Sequence, residues 1–157
     1  MKNDLDRIDF AILQELQNDA RLPNKQLASR VGLAPSSCFA RVKRLTEEGV
    51  LKGAHAEVDM AALGIGLQAM IHVRLARHSR EQVEDFAEHA LALPEVVALS
   101  HVAGAYDYLV QVAVRDADHL RDLALDAFTA RKEVEHLETH LLFAHTRKPV
   151  MPCLMLS

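Results

Sequence analysis

The chain has 157 residues, 18 Lys and Arg against 22 Asp and Glu, and a formal net charge of −4. Half of it is hydrophobic; six Gly, five Pro and two Cys are present, and of seven aromatic residues none is Trp. This composition excludes a disordered, collagen-like or disulfide-scaffold chain, fits one ordinary domain or two small ones, and taken whole argues against nucleic-acid binding.

Residues 1–10 carry Asp4, Asp6 and Asp9 where an export signal needs a basic start and an apolar run. The longest near-apolar stretch, residues 60–67, is far short of the roughly 20 residues that span a bilayer. Cys38 and Cys153 stand 115 positions apart with no metal-type spacing, so both are read as free thiols and the cytoplasm is the expected location.

Leu5, Ile8, Ile12 and Leu16 recur at spacings of 3, 4 and 4, which predicts a first helix with Asp4 and Asp6 at its dipole-positive start. Asn24 is placed to cap a second, short helix burying Leu27, Ala28 and Val31, and Gly32 to end it with positive φ. Pro35 fits a first helical turn, so a third helix is expected from about Pro35 to Glu48. Its inner face would be Cys38, Val42 and Leu45, and its outer face Ser37, Arg41 and Arg44. Gly49 ends it, and Val50 and Leu51 begin an extended segment. Three short helices with a tight turn between the second and third describe a helix-turn-helix.

Charge is distributed accordingly. Residues 21–52 hold seven Lys or Arg and two Asp or Glu, an excess of +5, whereas residues 56–157 hold nine against fifteen, an excess of −6. Arg41, Lys43 and Arg44 stand on the helix that would enter a major groove, with Ser36 and Ser37 at its front. Arg donates to phosphates or bidentately to guanine, and Ser contacts backbone or base.

The remainder carries an internal repeat. Val83, Phe86, Ala87, Ala90 and Leu91 fit an amphipathic helix, and Leu120, Leu123, Ala124, Ala127 and Phe128 repeat the pattern 37 residues later. Ser79 with Gln82 predicts a capping box, and Asp116 a cap for the second helix. Strand patterns flank each helix: Ile71, Val73 and Leu75, then Val97, Leu99 and His101; Tyr108, Val110, Val112 and Val114, then Leu137, Thr139, Leu141 and Phe143. The order βαββαβ is the ferredoxin-like pattern, with Gly104, Ala105 and Tyr106 forming the hairpin between its halves. Both helices must cover one sheet face. The other face is expected to be open and fairly apolar, and hence a dimer interface.

Residues 51–66 link the halves, with His55, Glu57 and Val58 extended and Gly64 and Gly66 loosening the chain; this Gly-x-Gly lacks the rest of a dinucleotide fingerprint. All nine His lie at or after His55. His136 and His140 have a chelating spacing on a helix, but on a strand they stand about 13 Å apart. No acidic partner sits at an established metal spacing, so no metal site is expected. His72 and His101 are expected on the sheet face or at an interface, packed and hydrogen-bonded.

The chain resembles the leucine-responsive regulator/AsnC (feast/famine) family from about Leu5 to Phe143. The resemblance rests on Leu5-Asp6-Arg7-Ile8-Asp9, on Val31-Gly32-Leu33-Ala34-Pro35-Ser36-Ser37 with Arg41-Val42-Lys43-Arg44-Leu45 and Glu48-Gly49-Val50, and on Gly104-Ala105-Tyr106-Asp107-Tyr108 with Thr139. It implies a cytoplasmic regulator that contacts double-stranded DNA through Ser36, Ser37, Arg41 and Arg44, with Lys43 beside them. It also implies an effector, usually an amino acid, near Gly104, Tyr106, Asp107 and Thr139, with Ser100, His101 and Ala105 adjoining. Dimers formed through the sheet domain would assemble four at a time into octamers. Two departures stand out. Ala34 replaces the usual capping Ser or Thr, leaving Ser36 to substitute or about 1 kcal/mol of capping forgone. Ala105 replaces a polar or acidic residue common in the effector loop, arguing for a different or less polar ligand contact.

The reading is therefore an α+β protein. A winged-type helix-turn-helix domain covers residues 1–50, a hinge residues 51–66, a ferredoxin-like effector-binding and oligomerisation domain residues 67–147, and an apolar tail residues 148–157. It is expected to be a homo-oligomeric transcription regulator with no enzymatic activity, cofactor or membrane partner. Two alternatives share the architecture. One is a tetrapyrrole decarboxylase with His101 as proton donor; the other is an oligomeric interaction module without DNA binding.

Overall fold

The computed structural model describes residues 5–76 and 79–154. The expectations for Asp4 and for the last three residues of the tail lie outside them. The chain forms two compact units, one of residues up to Ala56 together with those from Thr146, the other of Glu57–His145.

The first unit holds α1 (Arg7–Asn18), α2 (Asn24–Arg30) and α3 (Pro35–Glu47). Asp6 caps α1: its carboxylate accepts from the Ile8 and Asp9 amides, and the Asp9 carboxylate accepts from the Asp6 amide in return. At the end of α3, Gly49 turns at φ 70°, its amide reaches the Thr46 carbonyl, and the Val50 amide reaches that of Leu45. This is a Schellman motif, and it needs the left-handed residue that only Gly adopts cheaply. The core is the three expected stripes, centred on Ile12, Leu27, Ala28, Cys38 and Leu45.

Three local expectations change. Pro23, not Asn24, is the residue before α2, and the Asn24 amide instead donates to the Pro35 carbonyl (2.8 Å), tying the starts of α2 and α3. Ala34 precedes α3 with no side-chain cap, so Ser36 does not substitute and about 1 kcal/mol of capping is forgone. Val50 and Leu51 both donate to the Leu45 carbonyl and pack on the core, so the chain folds back over the end of α3 instead of running out.

The second unit is a four-stranded antiparallel sheet: β1 (Leu67–Leu75), β2 (Val96–His101), β3 (Tyr108–Val114) and β4 (Val134–Leu141), in the order β2-β3-β1-β4. Helix α4 (Arg80–Ala92) and α5 (Ala117–Leu123), continued by a π-helical segment Ala124–Thr129, cover one face. Alternate residues of β1 and β3, from Ala69 to Leu75 and from Tyr108 to Val114, meet Phe86, Ala90, Leu120, Leu123 and Phe128 there. Ser79 accepts from the Gln82 amide, but Gln82 Oε1 is buried without a partner among the described residues, so only half of the capping box forms.

The 37-residue repeat fails at its last pair: Leu91 is exposed whereas Phe128 is fully buried. The π turn, with the Ala130 amide reaching back to Leu125, inserts an extra residue per turn and re-aims Phe128 inward. Val97 points outward because the β2–β3 register shifts between Val96 and Ala98. Phe143 lies beyond the end of β4 and is fully exposed. Gly66 is required by space: a Cβ there would stand 2.4 Å from the Arg115 carbonyl oxygen.

The uncovered sheet face carries Gln68, Met70, His72 and Arg74 of β1, Leu109, Gln111 and Ala113 of β3, and His136, Glu138 and His140 of β4. It is polar and rich in His, not fairly apolar as expected. No helix among the described residues is long and apolar enough to cross a membrane.

Candidate functional site

On α3 the buried stripe of Cys38, Val42 and Leu45 sends Ser36, Ala40, Lys43 and Glu47 to the opposite, solvent-facing side. Ser37 is exposed as well. Beside this face stands Phe39, 61% exposed, a large apolar side chain with nothing over it in its own unit. The amphipathic pattern contained that signal, since the residue after Cys38 in sequence turns about 100° away from it and falls outside the 38/42/45 stripe.

Arg41 and Arg44, expected on the outer face, instead flank the buried stripe on the side of α1. Arg41 Nη1 donates to Asp6 Oδ2 (2.7 Å) and Asp9 Oδ1 (2.9 Å), and Arg44 Nη2 donates to Asp9 Oδ2 (2.5 Å). Asp9 is fully buried, so a carboxylate inside the three-helix core is neutralised by two guanidinium groups from the neighbouring helix. The Asp9 amide and then Arg41 hold the Asp6 carboxyl below its usual range. Arg30 also pairs with α1, through Glu15 (2.6 Å), in a more exposed bridge.

In the second unit, the loop from Val102 to Asp107 joins β2 to β3, with Gly104 at φ 138°. Asp107 is buried: its amide donates to the Val73 carbonyl (2.9 Å) and its Oδ2 accepts from the Leu75 amide (2.7 Å). That carboxylate fastens the loop to the end of β1. Tyr106 turns its ring toward the open face and donates to Glu138. Gly104 and Ala105 are exposed at the loop tip, and Ser100 stands on the open-face side of β2. His101 takes the other side and stacks on Tyr108, ring centroids 4.9 Å apart. Thr139 pairs with Ile71 and likewise lies on the helix-covered side, exposed at the sheet edge. The seven residues expected at an effector site are thus divided between the two faces. Neither the cavity of about 210 Å³ between residues 60–68 and 142–145 nor that of about 510 Å³ between α1 and residues 150–154 contains any of them.

The open face also gathers a group that His136 and His140 alone did not reveal. His72 is the direct cross-strand partner of Glu138, and His140 is two residues further along the same face. Their ligand atoms lie within 4.8 Å of one another, and the His72 and His140 ring centroids are 4.5 Å apart. His140 Nε2 is 3.2 Å from Glu138 Oε1. The Tyr106 hydroxyl first, then the surrounding imidazoles of His140, His72 and His136, keep the Glu138 carboxyl below the ordinary carboxylate range. The alternation His136, Glu138, His140 is visible in the sequence; the strand register that supplies His72 is not.

Comparison with known proteins places both units. Residues 5–52 match the model of a winged helix-turn-helix DNA-binding domain and residues 68–149 that of the Lrp/AsnC ligand binding domain. The chain is 43% identical over 144 residues to the HTH-type transcriptional regulator AldR of Mycolicibacterium smegmatis, covering 92% of this chain and 84% of that one. It is 36% identical over 138 residues to the leucine-responsive regulatory protein of Rhizobium meliloti, covering 88% of each. Its fold is similar to that of a Neisseria meningitidis transcriptional regulator crystallised in complex with L-Met (TM-score 0.84, 32% identity, 92% of this chain and 93% of that one). With an N-terminal helix-turn-helix whose third helix presents an uncovered face and a C-terminal βαββαβ unit, the chain belongs to the Lrp/AsnC family of DNA-binding transcriptional regulators.

Proposed function

We propose that the protein acts in the cytoplasm by laying α3 in the major groove of duplex DNA, and that an amino acid bound to its second unit changes that affinity. The observation that carries the DNA reading is the uncovered face of α3. Ser36, Ser37 and Lys43 there combine hydroxyl donors with a cation, and Ala40 leaves room for close approach. Phe39 joins them as the apolar contact for a thymine methyl. Arg41 and Arg44 act one step back, fixing the angle of α3 on α1 through Asp6 and Asp9.

The effector reading rests on family membership and on the L-Met complex of the Neisseria relative. Gly104, Ala105, Tyr106 and Ser100 offer main-chain and hydroxyl groups on one side of the sheet, and His101 and Thr139 on the other. A set divided in this way fits a ligand held where copies of the chain meet, in a homodimer or an octamer of dimers. Asp107 supports the loop from beneath. An effector that prefers one assembly would then shift DNA affinity by population. No reaction is assigned to His101, whose imidazole is stacked on Tyr108.

The test is duplex binding at several salt concentrations, with wild type and Lys43→Ala, after a thermal-shift screen of the twenty amino acids. The expected result is salt-sensitive binding whose slope falls by about 1 in the variant. A stabilising amino acid should also shift both the affinity and the sedimentation mass. An intact oligomer with no salt-sensitive DNA affinity would refute the reading and favour an interaction module.

A further inference from the structure

We propose that the open sheet face binds one divalent first-row transition cation per chain, zinc being the natural probe, through His72, His140 and Glu138. The donor set is two imidazoles and a carboxylate. Imidazole selects zinc, copper, nickel or iron over calcium and magnesium, which favour all-oxygen sets. Two His and one Glu form a known zinc ligand set that leaves a coordination position for water.

The fold positions the set without help from a loop. Glu138 and His140 are alternate residues of β4, and His72 faces Glu138 directly on β1, so all three spring from hydrogen-bonded strands. Ligands on tetrahedral zinc lie roughly 3.3 Å apart. The donor atoms here are within 4.8 Å of one another, a gap that side-chain rotation closes. The second observation is the Tyr106 hydroxyl, which donates to Glu138 Oε2 and leaves Oε1 turned toward His140. A hydrogen bond to the non-coordinating oxygen is what orients a ligating carboxylate. Arg74, the nearest cation on this face, stands one paired position beyond Glu138 and is held outward by Glu135 (3.0 Å). In the single chain the His140 side chain is half-exposed.

This site shares Tyr106 with the amino-acid reading but takes none of its three ligands from it, and its test uses neither an amino acid nor DNA. Full-length protein stripped with a chelator is titrated with Zn²⁺ alone, by calorimetry and by competition with a chromophoric chelator. Co²⁺ serves as the spectroscopic probe of coordination. One equivalent per chain is expected. His72→Gln and His140→Gln should abolish the site, Glu138→Gln should weaken it strongly, and Tyr106→Phe should cost about 10–100-fold in affinity. His55→Gln and His145→Gln, outside the cluster, should titrate as wild type. Thermal melting of the apo variants checks that each remains folded. Absence of stoichiometric binding overturns the proposal, as does binding that survives in both His72→Gln and His140→Gln. Full affinity in Glu138→Gln overturns the three-ligand assignment.

Discussion

Replacing Asp9 with Ala removes the acceptor on which α1 and α3 converge. In the folded unit the Asp9 side chain is 1% exposed and accepts from Arg41 (2.9 Å), Arg44 (2.5 Å) and the Asp6 amide (3.2 Å). Breaking a buried ion pair by deleting one partner costs about 3–5 kcal/mol, much of it from the charge left uncompensated. Here Arg41 keeps its contact with Asp6 (2.7 Å), and the orphaned Arg44 guanidinium, 43% exposed, returns to water, which places the loss near the lower end, about 3 kcal/mol. Asp9→Asn keeps an acceptor for the Asp6 amide and should cost less. Urea unfolding followed by far-UV circular dichroism reports both units, whereas tyrosine fluorescence reports only the second, because both tyrosines, Tyr106 and Tyr108, lie there. The expected result is a lower midpoint in the dichroism with unchanged slope and an unmoved fluorescence transition. Combined with Arg44→Ala, Asp9→Ala should cost less than the sum of the two single changes. A loss below about 0.5 kcal/mol for Asp9→Ala, the level of an ordinary surface change, would sink the idea that this cluster braces α3.

Phe39→Ala should leave stability within about 0.5 kcal/mol, because the side chain is exposed. It should weaken binding to a selected operator by about 1–3 kcal/mol without changing affinity for random duplex; equal loss on both would remove its base-reading role. Gly66→Ala drives a methyl to 2.4 Å from the Arg115 carbonyl oxygen and should destabilise the sheet unit by about 1–3 kcal/mol; a neutral result in thermal melting would show that the approach relaxes freely. Asp6 has its carboxyl lowered from the ordinary 3.8, so its contribution to stability is complete above that value and is lost as pH falls through the lower, folded-state value. Asp6→Asn should therefore flatten the acid limb of the stability profile below about pH 4, and an unchanged limb would assign acid unfolding to other carboxylates.

Periodicity carried most of the fold. Spacings of 3 and 4 located α1 to α3 and α4, and alternation located β1 and β3, because each buries one face against a core those residues themselves form. The failures occur where a neighbouring segment decides. The π turn that buries Phe128 and the register shift that exposes Val97 are set by hydrogen bonds to other residues, not by local pattern. The site was legible in the same uneven way. Of the expected outer face of α3 only Ser37 is exposed, with Ser36 and Lys43 exposed beside it, and Gly104 turns the loop with positive φ. Arg41, Arg44 and Asp107 read as groups available to a ligand, yet each is engaged across a distance of more than 30 residues. His72 joins Glu138 and His140 only through the pairing of β1 with β4, an alignment that no linear spacing encodes.

The local charge that made this unit look like a nucleic-acid reader is itself reduced by folding, and the reduction is measurable. Residues 21–52 hold seven cations, but three of them, Arg30, Arg41 and Arg44, are paired with Glu15, Asp6 and Asp9 of α1 and its cap. Counted over residues 5–52, the excess falls from +5 to +2. Each neutralised phosphate contributes about 0.9 to the slope of log affinity against log salt. Seven contacts per chain would give a slope of about −6, whereas the four remaining cations of residues 21–52, Arg21, Lys25, Lys43 and Lys52, give about −3.6. Lys43 can serve because its pair with Glu47 is exposed and loose at 3.7 Å. On sheared duplex DNA the slope per bound chain should therefore stay at or below about 4 in magnitude and be the same in Arg44→Ala as in wild type. A slope near 6 that falls by about 1 in Arg44→Ala would mean that DNA strips the arginines from Asp9, and that the brace opens on binding.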